Sequence, residues 1–411
     1  MTQNMNNNTH DLTIGHCNIQ GGLTGIGKTT EIMQLIKKHN LDILSLNETN
    51  LNDSIDSCTL NLPATFDFVR KDRAVGSRGG CGLLISRNCA YTKFNIKTNI
   101  DNDKIEAVWV KINSSNIYVC GFYRSNNYCK IDTFIDYMTE CMSKLRGKRV
   151  IWIGDINLDQ NKIKSLDYKK FDITLKSFNM VQTIQGITRV ARRGDKYSST
   201  TIDVILTNCY SDFISCSVLD ERIGDHQAIK CDLAFKVQKA SQYEKINIRD
   251  HSTKNIDSFA YFLLNNCDYS PLMNCADVDS VASGLNEHLN KYYDEHCPFK
   301  TIRKHQNYIY RPSKDTLNAI RLKTKLYKKF KRKLKLVNEQ HPYCNKCNTC
   351  VRCINRNKAW DEYKKQRNLV TKTTKYNKRQ NIVSDLKAKS TKNDIKGIYL
   401  ENYQVCSKYS T

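Results

Sequence analysis

The sequence predicts a layered α/β domain of two packed sheets flanked by helices, followed by a basic, mainly helical C-terminal region. Three observations carry this. Short apolar segments alternate with segments of helical period through the first 235 residues. One of them, Val150-Ile151-Trp152-Ile153, is apolar at every position, as a central strand covered on both faces should be. Charge then divides the chain. Residues 1–235 hold 29 Lys and Arg against 25 Asp and Glu, and the remainder holds 36 against 16, so +20 of the net +24 lies in the back.

Residues 1–11 are polar and Asn-rich and are expected to be disordered. Residues 12–19 read as a strand. Residues 31–39 carry Ile32, Leu35 and Ile36 at helical spacing, and 41–46 form a short buried strand. Strands follow at 80–86, 107–112 and 117–122. Residues 133–145 form a helix with Phe134, Tyr137, Met138 and Cys141 on one face. Strands at 202–206 and 228–235 close the domain, taken as 12–235. The texture changes near residue 236. Residues 250–297 read as helical and mixed. From Pro312 the chain is Lys-rich and helical, and Tyr327-Lys328-Lys329-Phe330-Lys331-Arg332-Lys333 is its most basic stretch. Such a region sits on polyanion.

No apolar run reaches the roughly 18 residues of a membrane span, and the start has no apolar targeting core. A nuclear or cytoplasmic protein is expected, not a secreted one, with no membrane and no evident protein partner. Most of the 18 cysteines stand singly in strand-like runs, such as Cys81, Cys120 and Cys231, and are expected as reduced, buried thiols.

Five short pieces then concentrate the chemistry: Cys17-Asn18-Ile19, Asn47-Glu48-Thr49, Gly154-Asp155-Ile156-Asn157, Thr201-Ile202-Asp203 and Gly224-Asp225-His226. Each places carboxylate, carboxamide or imidazole groups beside an apolar run, where several strand ends converge in a packed sheet. Glu48 suits a hard divalent cation, which takes carboxylate oxygen. Asp155 and Asn157, two apart, can accept a proton from water and hold that water still. Asp225-His226, with Asp203 upstream, offers an imidazole and a carboxylate to orient it, and a protonated ring can face phosphate. Tyr123-Arg124, after a strand, adds a phenol and a guanidinium suited to phosphate oxygens. Together these groups fit metal-assisted hydrolysis of a phosphate ester.

Two features compete. Gly22-Leu-Thr-Gly-Ile-Gly27-Lys28-Thr29 matches G-x-x-x-x-G-K-[ST], the phosphate loop of P-loop NTPases, with Val150 to Asp155 as the strand and Mg²⁺ carboxylate. That reading leaves Asn18, Glu48, Asp203 and Asp225-His226 without work. The alternative is a Gly-rich turn with Lys28 near a phosphate backbone. Cys344, Cys347, Cys350 and Cys353 are evenly spaced and could hold Zn²⁺. On one helix the same spacing gives a stripe of thiols.

In order, these pieces resemble the endonuclease/exonuclease/phosphatase family, with its DNase I-like four-layered sandwich. Within it the likeness is to endonucleases of non-LTR (LINE-type) retrotransposons. Arg78-Gly79-Gly80-Cys81-Gly82, Tyr123-Arg124 and Thr201-Ile202-Asp203-Val204-Ile205-Leu206-Thr207-Asn208 complete the pattern over 12–235. The resemblance implies a Mg²⁺-dependent endonuclease (Mn²⁺ serving as well) that nicks DNA. Asn18 and Glu48 would hold the metal with Asp225 beside it. Asp155 would take the proton from water and Asn157 would orient that water or a phosphate oxygen. Tyr123 would brace the phosphate, and Asp203 would orient His226. Gly224 departs from the Ser usual before Asp-His, so one phosphate hydrogen bond is expected to be missing. Residues 236–411 resemble the basic connector that precedes a reverse transcriptase, ending before any polymerase motif. Arg124, Lys28, Lys328, Lys329, Lys331, Arg332 and Lys333 are the expected nucleic-acid contacts. The rival functions are a phosphoesterase of the same fold acting on RNA or a small phosphate, a P-loop NTPase, and an inactive nucleic-acid-binding remnant.

Overall fold

The computed structural model describes residues 9–391, apart from 25, 61, 64, 77, 101, 194–195, 239–242, 267, 269, 271–276, 306–311 and 341–349. Among the described residues two mixed six-stranded sheets stack on one another. The first sets side by side β13 (Phe213–Arg222), β14 (Gln227–Gln238), β1 (Thr9–Asn18), β2 (Ile43–Asn47), β4 (Cys81–Ser86) and β3 (Phe66–Lys71). The second sets β5 (Tyr91–Phe94), β6 (Glu106–Ile112), β7 (Ile117–Tyr123), β8 (Arg149–Asp155), β12 (Asp203–Thr207) and β9 (Val181–Gln182).

Alternation along the strands builds the layers. Ile14, Ile43, Leu83 and Ile85 meet Val110, Val119, Ile151 and Ile153 between the sheets. Leu44, Leu46 and Leu84 face the other way, under Ile32, Leu35 and Ile36 of α1 (Ile26–His39). Phe122, Trp152 and Leu206 turn outward under α2 (Ile131–Lys144) and α3 (Leu166–Ser177). Trp152 has no exposed surface, and the rings of Trp109, Phe122, Phe134 and Tyr137 surround it at 4.8–6.1 Å. The order is helix, sheet, sheet, helix, the four-layered sandwich read from the sequence.

Two crossovers set up the site. α1 joins the parallel pair β1–β2, in register Asn18 to Asn47. α2 joins the parallel pair β7–β8, in register Tyr123 to Asp155. All four strands therefore end beside their partners. β12 runs against β8 with Asp203 opposite Asp155, and β14, running against β1, starts just after His226. Six chain segments thus deliver polar side chains to one edge of the sandwich.

Thr9, His10 and Asp11, expected in a disordered start, instead lengthen β1 by pairing with Lys236, Val237 and Gln238 of β14. After the sandwich the chain divides. Residues 241–307 are a compact unit of their own. In it a hairpin of β15 (Tyr243–Arg249) and β16 (Phe299–His305), absent from the helical reading, accompanies α4 (Thr253–Asn265) and α5 (Val278–His296). Residues 308–411 share a unit with 1–240. Their described part is α6 (Lys314–Gln340) and α7 (Val351–Thr391). Tyr327, Phe330 and Leu334 of α6 and Ala359, Trp360 and Tyr363 of α7 share a core with Val190. Val190 lies on β10 (Arg189–Arg193), which pairs with β11 (Lys196–Thr200). No described helix is long and apolar enough to cross a membrane.

Candidate active site

Asp155 is the centre of the edge. It is 1 % exposed, at the end of β8. Its backbone N–H donates to Asn47 Oδ1 at 2.8 Å, which locks the β2 end to the β8 end. Its Oδ1 accepts from the Asn157 N–H at 2.8 Å and its Oδ2 from Asn18 Nδ2 at 2.9 Å. Asn157 turns back over Asp155 because its backbone is left-handed, φ 51°, a conformation Asn tolerates. Its amide donates to Arg124 O at 2.9 Å and lies 3.4 Å from Asp155 Oδ2.

His226 faces the same carboxylate, with Nε2 3.8 Å from Asp155 Oδ2 and 3.6 Å from Asp225 Oδ1. On its other side Nδ1 lies 2.8 and 3.0 Å from the two oxygens of Asp203. Asp203 in turn lies 3.1 Å from His16 Nε2, and the backbone N–H groups of Ile202 and Asp203 both donate to Thr188 Oγ1. Burial works against the His226 cation, but the charge and hydrogen bond of Asp203, then Asp155 and Asp225, raise its pKa to about 9. Burial pushes Asp155 up to about 7, partly opposed by His226 and reinforced by Asp203. Burial pushes Asp203 the same way, yet His226 and the bond from His16 outweigh it and hold Asp203 below the usual carboxylate range. Two buried carboxylates are thus driven apart, one ionised and one poised to exchange a proton near neutrality.

Glu48 lies at the cleft mouth, half-buried, with φ 58°. Left-handed backbone at a Glu is uncommon and is held here by its surroundings. Asn18 Nδ2 and the Tyr123 hydroxyl both donate to Glu48 Oε1, at 3.1 and 3.0 Å. Burial, and then Glu48 and Asp155, push the Tyr123 phenol up, so it stays a proton donor. The donor set fits a hard divalent ion at Glu48. Asp155, Asp203 and His226 also bring ligand atoms within 4.8 Å of one another. Asp203 is hydrogen-bonded to His226 Nδ1, and Asp155 lies 3.8 Å from Nε2 on the other side of the ring.

The other residues expected in the site have the following surroundings. Asn18, expected on the metal, spends Nδ2 on Glu48 and Asp155 and Oδ1 on the Gln20 N–H, so it ties the two carboxylates together. Asp225, expected beside the metal, is ion-paired with Arg189 at 2.8 Å. Arg124, expected on phosphate, is 4 % exposed; it donates to Ile156 O, Cys129 O and Asn157 O and to Asn126, bracing the loop under Asn157. Lys28 donates to Ile19 O just past the end of β1, and burial lowers its pKa. Lys328 pairs with Asp220 and Lys329 with Glu362, at 2.7 and 2.8 Å; Lys331 is partly buried, Lys333 partly exposed and Arg332 exposed. Cys344 and Cys347 lie outside the described residues. Cys353 is buried at the start of α7, its N–H on Cys350 Sγ. The thiols of Cys17, Cys81, Cys120 and Cys231 are buried in the sheets, and burial raises their pKa.

Some site residues escaped the sequence reading. His16 stands two before Asn18 on the same face of β1, and that period-2 spacing was the available signal. A cleft of about 340 Å³ beside Glu48 is lined by Arg73, Arg78, Gly79, Tyr123 and Tyr128. Glu106 holds Arg73 through two bonds of 2.6 and 3.0 Å, and the guanidinium lies 4.4 Å from the Tyr128 ring centre. Gly79 is needed here: a Cβ would fall 2.3 Å from Arg73 Cζ.

A buried cluster of Asp155, Asp203 and His226 beside the Glu48 cleft, at one edge of a four-layered sandwich, fits a phosphoesterase-type site. The chain belongs to the endonuclease/exonuclease/phosphatase family, whose model matches residues 2–213. That family comprises divalent-metal-dependent nucleases and phosphatases. No curated protein matches in sequence. Solved structures similar to the chain include the AP endonuclease LMAP from Leishmania major, at 14% identity over 57% of this chain and 89% of that one, TM-score 0.46. They also include the APE2 catalytic domain of Xenopus laevis, at 14% identity over 56% and 94%, TM-score 0.44. A third is the 3′ phosphatase NExo from Neisseria bound to a product DNA hairpin, at 15% identity over 54% and 99%, TM-score 0.42.

Proposed function

We propose that the chain is a divalent-metal-dependent phosphodiesterase that nicks DNA, in the manner of target-primed retrotransposition. The observation that carries the chemistry is the placement of Asp155. Its carboxylate has donors on both oxygens, is raised to about 7 by burial, and stands 3.8 Å from a cationic His226. Asp155 takes the proton from the attacking water, and Asn157 fixes the Asp155 oxygens. His226, held by Asp203, presents its Nε2 hydrogen to the phosphate, where negative charge builds. Glu48, with its Oε1 held by Asn18 and Tyr123, would bind a cation such as Mg²⁺, which supplies charge neutralisation at the phosphoryl oxygens and leaving group.

DNA is favoured as substrate by the basic exposed surface of α6 and α7, where Arg332, Lys335, Lys358, Lys364, Lys365 and Lys372 face solvent. A substrate panel tests this. Supercoiled plasmid, a single-stranded RNA and p-nitrophenyl phosphate are offered with Mg²⁺, and plasmid is expected to be the preferred substrate by at least about 10²-fold. Equal or faster turnover of RNA or of the small ester would overturn the assignment to DNA.

A further inference from the structure

The segment Arg222 to His226, which carries the last two acid and base groups of the site, is held by the C-terminal helices. Arg222 is 4 % exposed. Its guanidinium lies 4.7 Å from the ring centre of Tyr327 on α6, and 5.6 and 5.5 Å from those of Trp360 and Tyr363 on α7. From inside this aromatic cage it reaches into the catalytic segment. Nε donates to Gly224 O at 2.9 Å and Nη2 to Val190 O at 2.8 Å. Val190 and its neighbour also hold Asp225: the Val190 N–H donates to Asp225 O, and the Arg189 guanidinium pairs with the Asp225 carboxylate. Lys323, on α6 and 3 % exposed, donates to Arg222 O at 2.9 Å and to Glu31 of α1 at 2.7 Å. Two buried cations, Lys323 and Arg222, thus hold the Arg222 and Gly224 carbonyls of a five-residue curl that ends on His226.

We propose that the α6–α7 pair is a built-in clamp on the catalytic loop, with Arg222 and Lys323 as positioning residues for Asp225 and His226. A core contact alone would fill space under the loop; here directed hydrogen bonds converge on the carbonyls of Arg222 and Gly224 and on the strand that holds Asp225. A cation among three aromatic faces is strongly directional. An error of about 1 Å in a catalytic group can cost about 10²-fold in rate. The C-terminal region then serves the chemistry as well as the grip on nucleic acid. The inference rests on the phosphoesterase reading of the site.

The test uses the full chain and two readouts. Arg222→Met removes the charge at similar volume, Arg222→Lys keeps it, and Val337→Ala perturbs the buried face of α6 about 15 Å further along the helix. Amide hydrogen exchange over residues 222–227 is expected to accelerate at least about 10-fold in Arg222→Met and to remain at the parent rate in Val337→Ala. Plasmid nicking by Arg222→Met is expected to lose about 10- to 100-fold in kcat with KM for DNA within about 2-fold of the parent, and Arg222→Lys is expected to recover most of the loss. Unchanged exchange in Arg222→Met, or equal kcat losses in Arg222→Met and Val337→Ala, overturns the clamp. A parent that neither nicks plasmid nor hydrolyses the RNA or p-nitrophenyl phosphate overturns the phosphoesterase reading instead, and exchange still decides on the clamp.

Discussion

The Asp203 carboxylate lies 2.8 Å from His226 Nδ1, and both side chains are buried. The contact fixes which ring nitrogen faces the cleft and keeps the ring charged. Asp203→Asn and His226→Ala are each expected to lower kcat by about 10²- to 10⁴-fold, and the double variant by little more, because the pair acts as a unit. A double-mutant cycle in plasmid nicking reads this; strictly additive losses would show that the two residues act separately.

Glu48→Gln keeps the bonds of Asn18 and Tyr123 within reach but removes the charge that a hard cation needs. Nicking at saturating Mg²⁺ is expected to fall by about 10²-fold or more, with a higher Mg²⁺ concentration at half-saturation. A titration of rate against Mg²⁺ checks both. A parent-like curve would remove Glu48 from the metal site.

The fold was legible where one residue pattern served one structural role. The all-apolar run of β8 announced a central strand, and the Phe134 to Cys141 stripe announced α2, because burial on two faces or on one leaves opposite signatures. The β10–β11 hairpin, Arg189-Val190-Ala191-Arg192-Arg193 against Lys196 to Thr200, was not legible; its apolar Val190 is buried by α6 and α7, far along the chain. The same limit hid Arg222 and Lys323, whose partners are distant in sequence. Asp155, Asp203, Glu48 and His226 were legible because each follows or precedes an apolar strand. Arg124 misled because an Arg after a strand reads as a phosphate contact, although backbone carbonyls take its hydrogens.

Gly224 has a structural reason. A Cβ there would lie 2.7 Å from Gln20 Cβ, beside the turn that follows Asn18. Gly224→Ser is therefore expected to destabilise the protein by about 1–3 kcal/mol through overpacking, seen as a lower Tm, and to gain no activity. A variant with parent-like Tm and faster nicking would show that the turn has room for the hydroxyl.

The pH dependence follows from two directions. Asp155 works as a base only when deprotonated, so kcat/KM falls as pH drops below about 7, and a cation at Glu48 draws that limb lower. His226 works only when protonated, so activity falls as pH rises through about 9. Replacing Asp203 by Asn removes the main support of the His226 cation and is expected to move the alkaline limb toward neutrality. A kcat/KM profile from about pH 5 to 10 shows whether it moves; an unmoved limb would detach Asp203 from the titration of His226.

Arg332 and Lys335 lie exposed on α6, and Lys335 is only weakly paired, 3.5 Å from Glu339. If this face touches the DNA backbone, replacing both by Gln should weaken duplex binding and flatten the plot of log affinity against log salt. The slope should change by up to about 1.8, at about 0.9 for each phosphate that is no longer neutralised. An unchanged slope would place the DNA-binding surface elsewhere on the protein.

Asp155, buried and facing His226, is the base we propose for metal-assisted cleavage of a DNA phosphodiester. Supercoiled-plasmid nicking by the parent and by Asp155→Asn, each with Mg²⁺ and with EDTA, is the decisive measurement. The parent is expected to nick with Mg²⁺ and not with EDTA, and Asp155→Asn to lose about 10³-fold or more at unchanged Tm. Nicking that persists in EDTA would remove the metal from the chemistry, and an Asp155→Asn variant as fast as the parent would remove Asp155 as its base.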